Sequence, residues 1–322
     1  MLDYDSMNAL VTFPAADATP LGVRQRTVKA AIDCVGIGVH SGRKARLAIR
    51  PADANHGIVF HRTDLGRTIP ARYDAVCDTR MCTVVADPSM PSARVGTIEH
   101  VMAALYGAGI DNALIEVDGP EVPILDGSAG PYVFLLDCAG VVEQDAPRRV
   151  LEIRAPIRVS AGDAWVELRP LGGTLSRNAQ PVLEMELSID FADQAIGRQS
   201  CALHLTPDSF RHQLAQARTF ALARDIEQLR EAGLARGGSF ENALVVDGDA
   251  VLNPGGLRME NEFANHKTLD AVGDLALAGA RLHGRYVANR PGHTLNNRVL
   301  HALFANQAAW HDLNAEPLSA AA

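Results

Sequence analysis

The sequence lacks a long uncharged run and any excess of basic residues. Its longest segment without Asp, Glu, Lys or Arg covers residues 299–311, well short of the roughly 20 apolar residues that a membrane-spanning helix needs. Its 30 Lys and Arg residues face 38 Asp and Glu residues, and the resulting net charge of -8 disfavours a surface built to cover nucleic-acid phosphates. We therefore expect no transmembrane segment, no nucleic-acid partner and at most peripheral contact with a membrane.

Cysteine is scarce, and its spacing forms no recognisable motif. The five cysteines are odd in number and include no C-x-x-C pair, which argues against a disulfide framework and against a cysteine zinc site. Near the start, Asp3 and Asp5 stand where a secretory signal would carry basic residues. Reduced thiols in the cytosol are the simplest interpretation, so we expect a cytoplasmic protein.

Several common catalytic signatures are also missing. The segment GIGVHSG, which starts at Gly36, has its third glycine one place too late for a dinucleotide-binding fingerprint. The chain contains no Walker A lysine motif, no G-x-S-x-G elbow and no H-E-x-x-H zinc-peptidase helix. Hydride transfer to NAD and serine hydrolysis are therefore disfavoured.

The length and composition predict two folded domains. The 322 residues correspond to about two domains of roughly 150 residues each. Hydrophobic residues make up 47% and charged residues 21% of the chain, which is typical of a globular protein. The polar segment EQDAPRR follows a predicted helix, and we place the domain boundary there. We expect a loose extension over 1–22, a first domain over 23–146, a second domain over 147–311 and a tail over 312–322.

The periodicity of apolar residues predicts strands and helices in both halves. The alternating segments TVKAAI and KARLAIR predict a β-hairpin around a glycine-rich turn, and Thr97 is a plausible N-cap for a helix over residues 97–105. A long helix is predicted over about 260–281, followed by the loop NRPGHTLNN and a last helix that ends near Trp310. Because strands and helices do not alternate strictly, we predict an α+β fold of two similar two-layer domains, each a β-sheet backed by helices.

Two predicted helices carry side chains that could hold a metal ion. His266 and Asp270 are four residues apart, so they share one helical face, which Asp274 extends by another turn. An imidazole and a carboxylate at this spacing can bind one metal ion, although a solvent-exposed pair has the same spacing. Elsewhere, Glu99 and His100 are the best candidates for a base and a third ligand. A helix-dipole partner and a core histidine are the simpler alternatives for these two.

Two further residues could take part in catalysis. His293 follows Pro291 and Gly292 in a predicted loop before a helix, where a cationic imidazole could stabilise an oxyanion and protonate a leaving amine. A surface histidine is the alternative. Thr219 offers a hydroxyl at the predicted start of another helix, where it could equally be an N-cap.

Several long segments, taken together, resemble one enzyme family. TIEHVMAALYGAGIDNALIEVDGPEVPILDGSAGPYV, LRMENEFANHKTLDAVGDLALAG and PGHTLNN, with GIGVHSG before them and ARTF between them, are similar to UDP-3-O-acyl-N-acetylglucosamine deacetylases of lipid A biosynthesis. The resemblance covers about residues 24–310. It implies an active site in the cleft between the two domains.

The resemblance also implies a chemistry. A zinc-dependent enzyme of this kind hydrolyses the acetamide of UDP-3-O-(3-hydroxyacyl)-N-acetylglucosamine to the amine and acetate, the committed step of lipid A biosynthesis. Glu99 would act as the general base, protonated His293 would stabilise the tetrahedral intermediate with Thr219 and protonate the amine, and Asp274 would orient His293. Such a site accepts Zn²⁺ or, in the cell, Fe²⁺. The implied metal ligands are His100, His266 and Asp270.

The same resemblance assigns substrate contacts. Lys267 would face the nucleotide phosphates, and Asp190 and Phe191 would lie near the uridine. Ala221 and Leu222 replace the family's usual Gly-Phe pair, which leaves the preferred acyl-chain length open. We expect a monomer. The residues implied around the glucosamine and the acyl passage are Phe220, Ile226 and Gly238.

Two alternatives remain, and one of them comes from another functional class. The chain could be a binding protein that keeps the sugar-nucleotide fold without catalysis, although the complete set of implied catalytic residues argues against this. It could also be a zinc deacetylase for another N-acetyl sugar. Binding of uridine diphosphate would separate that last alternative from the leading hypothesis.

Overall fold

The computed structural model describes residues 22–172, Leu175 and residues 180–314. Residues 1–21 and 315–322, which include almost all of the predicted N-terminal extension and most of the predicted tail, lie outside the described residues. Helices and sheets occur in both halves, so the predicted α+β class is confirmed. No described helix is long and apolar enough to cross a membrane.

The described part of the first half, from residue 22 onward, forms short strands and two helices. A 3-10 turn at Tyr73–Ala75 precedes β6. In chain order the elements are β1 (Arg24–Val28), β2 (Ile32–Ile37), β3 (Lys44–Arg50), β4 (Ile58–Arg62), β5 (Arg67–Pro70), β6 (Val76–Asp78), β7 (Val84–Asp87), β8 (Met90–Val95), α1 (Glu99–Ala108), β9 (Ala113–Val117), α2 (Gly130–Ala139) and β10 (Val141–Pro147).

The main sheet of this half has the strand order β2-β3-β9-β4-β5. Strand β4 runs parallel to β9, and the other neighbours are antiparallel. Leu47 and Ile49 on β3 and Ile115 and Val117 on β9 are buried, as expected from the two-residue period of side chains along a strand. Helix α2 packs against β2, and α1 packs against α2, so sheet and helices share one core.

The second half contains a larger sheet and the longest helices described. This half also contains a π-helical turn at Phe210–Leu214 and a 3-10 turn at Gln307–Ala309. In chain order the elements are β11 (Val150–Ile153), β12 (Ile157–Ala161), β13 (Ala164–Arg169), β14 (Leu183–Asp190), β15 (Arg198–Leu205), α3 (Pro207–Ser209), β16 (Phe220–Leu222), α4 (Ala223–Glu231), β17 (Leu244–Asp247), β18 (Ala250–Val251), α5 (Glu262–Ala276), β19 (Arg281–Asn289), α6 (His293–Ala305) and β20 (Trp310–Asp312).

Strand β19 organises this sheet. Its first residues pair in parallel with β11, and its later residues pair with β13 on one side and β14 on the other. Helix α5 packs against β14 and β15, while α6 packs against β12 and β13. The sheet therefore supports both helices and fixes the start of α6, which follows β19 after a short loop.

The second half holds helix α1 at its C-terminal end. The Arg281 guanidinium donates hydrogen bonds to the carbonyl oxygens of Tyr106 and Ile110. Arg148 donates to the carbonyl oxygen of Gly109 at 2.7 Å. Both cations bind carbonyl oxygens at or just after the end of the helix, where they complement the negative end of its dipole.

Helices α1 and α5 touch at a glycine. A Cβ atom added at Gly273 would lie 2.0 Å from the carbonyl oxygen of Glu99, a distance at which backbone atoms would have to move. Glycine therefore lets the first turn of α1 lie directly against the middle of α5. This contact brings the side chains of Glu99 and His100 next to those of α5.

One expectation about the first half was wrong in detail. The hairpin consists of β2 and β3, whereas most of TVKAAI belongs to β1, which pairs with β10, and to the turn after it. The polar segment EQDAPRR, where we place the domain boundary, is largely strand β10. Its charged side chains lie on an exposed edge, where Asp145 and Glu143 pair with Arg24 and Arg26, and this exposure explains the polar composition of the segment. The domain boundary itself stays a prediction.

Helix boundaries also differ from those expected. Thr97 is not the N-cap of α1; its backbone is left-handed (φ 58°), and Ile98 occupies the cap position. Helix α5 ends at Ala276 rather than near residue 281, because Gly279 turns the chain into β19 with a φ of 68°. The last helix ends at Ala305, and the chain continues into β20.

We predict that Gly273→Ala destabilises the protein. The added methyl group meets backbone at the contact between α1 and α5, and overpacking of this kind typically costs about 1–3 kcal/mol of unfolding free energy. Urea unfolding should show a lower midpoint for this variant. Gly255→Ala is the matched control, because a Cβ there meets nothing within 4 Å; an equal midpoint shift in both variants would contradict the close-contact explanation.

Candidate active site

A cleft of about 1340 Å³ lies beside the first turn of α1 and the middle of α5. One part of its wall carries ionisable side chains, and another part is apolar. Asp190 and Asp274 lie outside its described lining: Asp190 is exposed at the end of β14, and Asp274 is buried behind the wall. The predicted site residues that line the cleft are Glu99, His100, Phe191, Thr219, Phe220, Ile226, Gly238, His266, Lys267, Asp270 and His293.

The three predicted metal ligands lie together. The Nε2 atoms of His266 and His100 are 3.3 Å and 3.5 Å from Oδ1 of Asp270, and the potential ligand atoms lie within 4.8 Å of one another. All three side chains are buried. Helix α5 supplies two of them one turn apart, and α1 supplies His100. The i, i+4 spacing on α5 brings two of the ligands together, and the contact between α5 and α1 adds the third.

The donor atoms fit a divalent cation. Oδ1 of Asp270 is buried and accepts no hydrogen bond from any described residue, although two imidazole nitrogens face it. Burial lowers the pKa of His266 to about 4 against the opposing effect of Asp270, so its imidazole is neutral at pH 7. Nδ1 of His266 lies 3.0 Å from the carbonyl oxygen of Ala217, which orients Nε2 toward Asp270. Two imidazoles and one carboxylate are typical ligands of zinc or ferrous iron.

Lys267 takes part in the same cluster. Its Nζ atom donates a hydrogen bond to Oδ2 of Asp270 at 2.8 Å. Burial favours the neutral amine, but Asp270 outweighs this effect and raises the pKa of Lys267. Burial likewise works against ionisation of Asp270, yet its interactions with His266 and with the Lys267 cation hold the pKa of that carboxyl well below its usual range. Lys267 therefore remains a cation beside the cleft.

A second buried carboxylate orients His293. Nδ1 of His293 is 2.9 Å from Oδ2 of Asp274, and the same oxygen accepts a hydrogen bond from Nδ2 of Asn296 at 2.8 Å. Burial opposes protonation of His293, but the carboxylates of Asp274 and Glu99 outweigh it and raise the pKa of the imidazole to about 9. His293 is thus a cation at neutral pH, and it is the first residue of α6 rather than a loop residue.

Glu99 lies on the side of the His293 ring opposite to Asp274. Its Oε1 atom is 3.9 Å from Nε2 of His293, and its Oε2 atom accepts a hydrogen bond from the amide of Thr83 at 3.0 Å. Burial raises the pKa of the Glu99 carboxyl despite the neighbouring cationic His293. A buried carboxylate with a raised pKa can accept a proton at neutral pH, which is a property of general bases.

The apolar part of the wall begins next to this cluster. The ring of Phe220 contacts those of Phe191 and Phe263 edge to face, with centroids 5.6 Å and 5.0 Å apart. Helix α4 contributes Ile226, and the loop after it contributes Gly238. The cleft therefore joins an ionisable region to an aromatic and aliphatic one.

Thr219 and the two residues that depart from the family pattern lie on or near this wall. Thr219 directly precedes β16 rather than a helix, so the prediction of a helix start was wrong. Its amide donates to the carbonyl of Gly127, and its carbonyl accepts from the amide of Leu244. Ala221 lines the cleft, whereas Leu222 packs toward the core.

Some residues of the site were missed from the sequence. Asn296 contacts Asp274, and a local signal existed, because Asn296 follows His293 by three residues on one helix. Thr83 contacts both Glu99 and Asp274, and only the tertiary fold brings it there. His40, from the turn between β2 and β3, also lines the cleft.

Comparisons with known proteins identify the family of this chain. The family model for LpxC, UDP-3-O-acyl N-acetylglycosamine deacetylase, matches residues 25–305. The UDP-3-O-acyl-N-acetylglucosamine deacetylase of Shewanella violacea is 49% identical over 290 residues, which cover 89% of this chain and 91% of that protein. The proteins of the same name from Shewanella baltica and Shewanella oneidensis are 48% identical over the same shares. The chain therefore belongs to the UDP-3-O-acyl N-acetylglycosamine deacetylase family.

Proposed function

We propose that this protein hydrolyses the acetamide of UDP-3-O-(3-hydroxyacyl)-N-acetylglucosamine to the free amine and acetate, in lipid A biosynthesis. The observation that carries this proposal is one cleft in which His100, His266 and Asp270 converge beside Glu99 and His293. Family membership supports the substrate class. Amides are poor electrophiles and amines are poor leaving groups, so a Lewis acid, a base and a cationic acid each have a task.

We propose that His100, His266 and Asp270 hold a divalent cation, Zn²⁺ or Fe²⁺. Two observations support this assignment: the buried Oδ1 of Asp270 accepts no hydrogen bond from the described residues, and the imidazole of His266 is neutral. When bound, such a cation acts as a Lewis acid toward the acetamide carbonyl and toward water.

The residues around this site then have complementary roles. Glu99 takes a proton from the attacking water, which its raised pKa favours. The His293 cation stabilises the negative oxygen that develops on the carbonyl, together with the hydroxyl of Thr219, and later gives its proton to the departing nitrogen. Asp274 holds the His293 ring in place through Nδ1, which leaves Nε2 directed toward the cleft and Glu99.

The shape of the cleft supports a lipid-linked sugar as substrate. The aromatic cluster around Phe220 and the aliphatic side chain of Ile226 offer an apolar surface for the acyl chain, with Gly238 beside it. We propose that the Lys267 cation attracts the diphosphate and that Phe191 lies near the uridine. Asp190 adjoins Phe191 in sequence but is exposed, so its contact with the uridine stays a prediction.

We further propose that the protein works in the cytosol as a monomer, with one domain over 23–146 and the other over 147–311. All five cysteines are free thiols, which supports a reducing compartment. Of the residues predicted from the sequence for the site, Glu99 and His100 come from the first of these units, and the others come from the second.

We predict that His266→Ala loses both bound metal and activity. Removal of one ligand should lower acetate release from the UDP-sugar by more than the about 10- to 100-fold typical of outer-shell partners, and a chelator should have the same effect on the unaltered protein. Acetate release and metal content by mass spectrometry are the two measurements. His212→Ala is the control, since His212 is exposed and outside the described cleft lining. Full activity in metal-free protein would exclude the metal site.

We also predict a basic limit to activity set by His293. The raised pKa of His293, about 9, keeps the imidazole protonated below that pH, so kcat/KM should fall as pH rises through about 9. In Asp274→Asn the burial of the ring dominates, its pKa falls, and the limit should move to lower pH. Asp145→Asn, on the exposed edge of β10, should leave the profile unchanged. A profile that stays flat through pH 9 would contradict the cationic role.

A further inference from the structure

Thr83 connects the two candidate catalytic carboxylates. It is 1% exposed and directly precedes β7. Its amide donates a hydrogen bond to Oε2 of Glu99 at 3.0 Å, and its hydroxyl donates one to Oδ1 of Asp274 at 2.5 Å. Its carbonyl accepts a hydrogen bond from the amide of Ile98 at 3.3 Å. The amide, hydroxyl and carbonyl of this residue all have partners at the contact between α1 and α5.

These contacts close a ring of four residues. His293 faces Asp274 through Nδ1 at 2.9 Å and faces Glu99 through Nε2 at 3.9 Å. Thr83 joins the same two carboxylates from the other side. The distance between the candidate base and the candidate acid therefore depends on Thr83 as well as on the two helices.

The hydroxyl of Thr83 has a specific effect on Asp274. It occupies Oδ1, so the other oxygen, Oδ2, is left for His293 and Asn296. A carboxylate with donors on both oxygens cannot rotate freely about its terminal bond, and that bond otherwise has a broad, two-fold preference. Thr83 thereby fixes the oxygen that orients the imidazole, as outer-shell partners orient ligands in metal sites.

We propose, on the basis of the function proposed above, that Thr83 is a positioning residue for the deacetylation. It lies outside the described cleft lining and acts through Asp274 and His293. Its hydroxyl sets the orientation of the Asp274 carboxylate, and that carboxylate sets the His293 ring relative to Glu99. A residue that only joined the two halves of the chain would affect stability and leave turnover unchanged.

The test compares Thr83→Val, which keeps the shape and removes the hydroxyl, with Thr83→Ser, which keeps the hydroxyl. We expect kcat to fall about 10- to 100-fold in Thr83→Val with KM changed less than about threefold, and to stay within about threefold of wild type in Thr83→Ser. Thr27→Val is the matched control. Thr27 is also buried, and its hydroxyl accepts a hydrogen bond from the amide of Ala52, away from the cleft.

Thermal unfolding of each variant separates positioning from stability. A lower Tm with wild-type kcat in Thr83→Val would overturn the proposal, and so would equal losses of kcat in Thr83→Val and Thr83→Ser. If Thr83→Val does not fold, Thr83→Ala removes the same hydroxyl and is compared with Thr83→Ser in the same way.

A spectroscopic measurement tests the proposal without the reaction. The proton on Nδ1 of His293 gives a low-field NMR resonance that reports its hydrogen bond to Asp274. We expect this resonance to shift in Thr83→Val and to be retained in Thr83→Ser; an unchanged resonance in Thr83→Val overturns the positioning role. If the wild-type protein releases no acetate from the UDP-sugar, the proposed function fails, and this resonance alone decides the role of Thr83.

Discussion

The candidate site depends on the close contact between helices α1 and α5. Gly273 removes the side chain that would separate them, and Arg148 and Arg281 hold the far end of α1. The first turn of α1 is therefore fixed between a backbone contact and two cations. A helix that can neither slide nor tilt is a suitable support for a base and a metal ligand, which need positions accurate to a fraction of an ångström.

The contact also concentrates charge in a buried space. Glu99, Asp270 and Asp274 are three buried carboxylates, and Lys267 and His293 are the cations beside them. Water cannot stabilise these charges, so each depends on its neighbours. Because their neighbours differ, these carboxyl groups have different acidities. Asp270 is ionised beside Lys267, whereas burial raises the pKa of Glu99. Environment gives similar side chains different chemistry here.

The sequence predicted those parts of the site that depend on local spacing. His266 and Asp270 share a helical face because of the period of the helix, and this could be read without the fold. The contact of Thr83 with Asp274 could not be predicted from the sequence, because 191 residues separate the two and no local pattern marks Thr83. Strand β19 was missed for a different reason. Nearly every residue in it is buried, so the alternation that identifies a half-exposed strand is absent.

Strand β10 has a consequence for how the two halves of the chain are joined. Its pairing with β1 places the beginning and the end of the first half side by side in one ladder. A unit whose ends are adjacent can be duplicated, permuted or joined to another unit without opening its sheet. Two residues, Arg148 and Arg149, link β10 to β11, so the polypeptide enters the larger sheet directly from this ladder, without a long connecting segment.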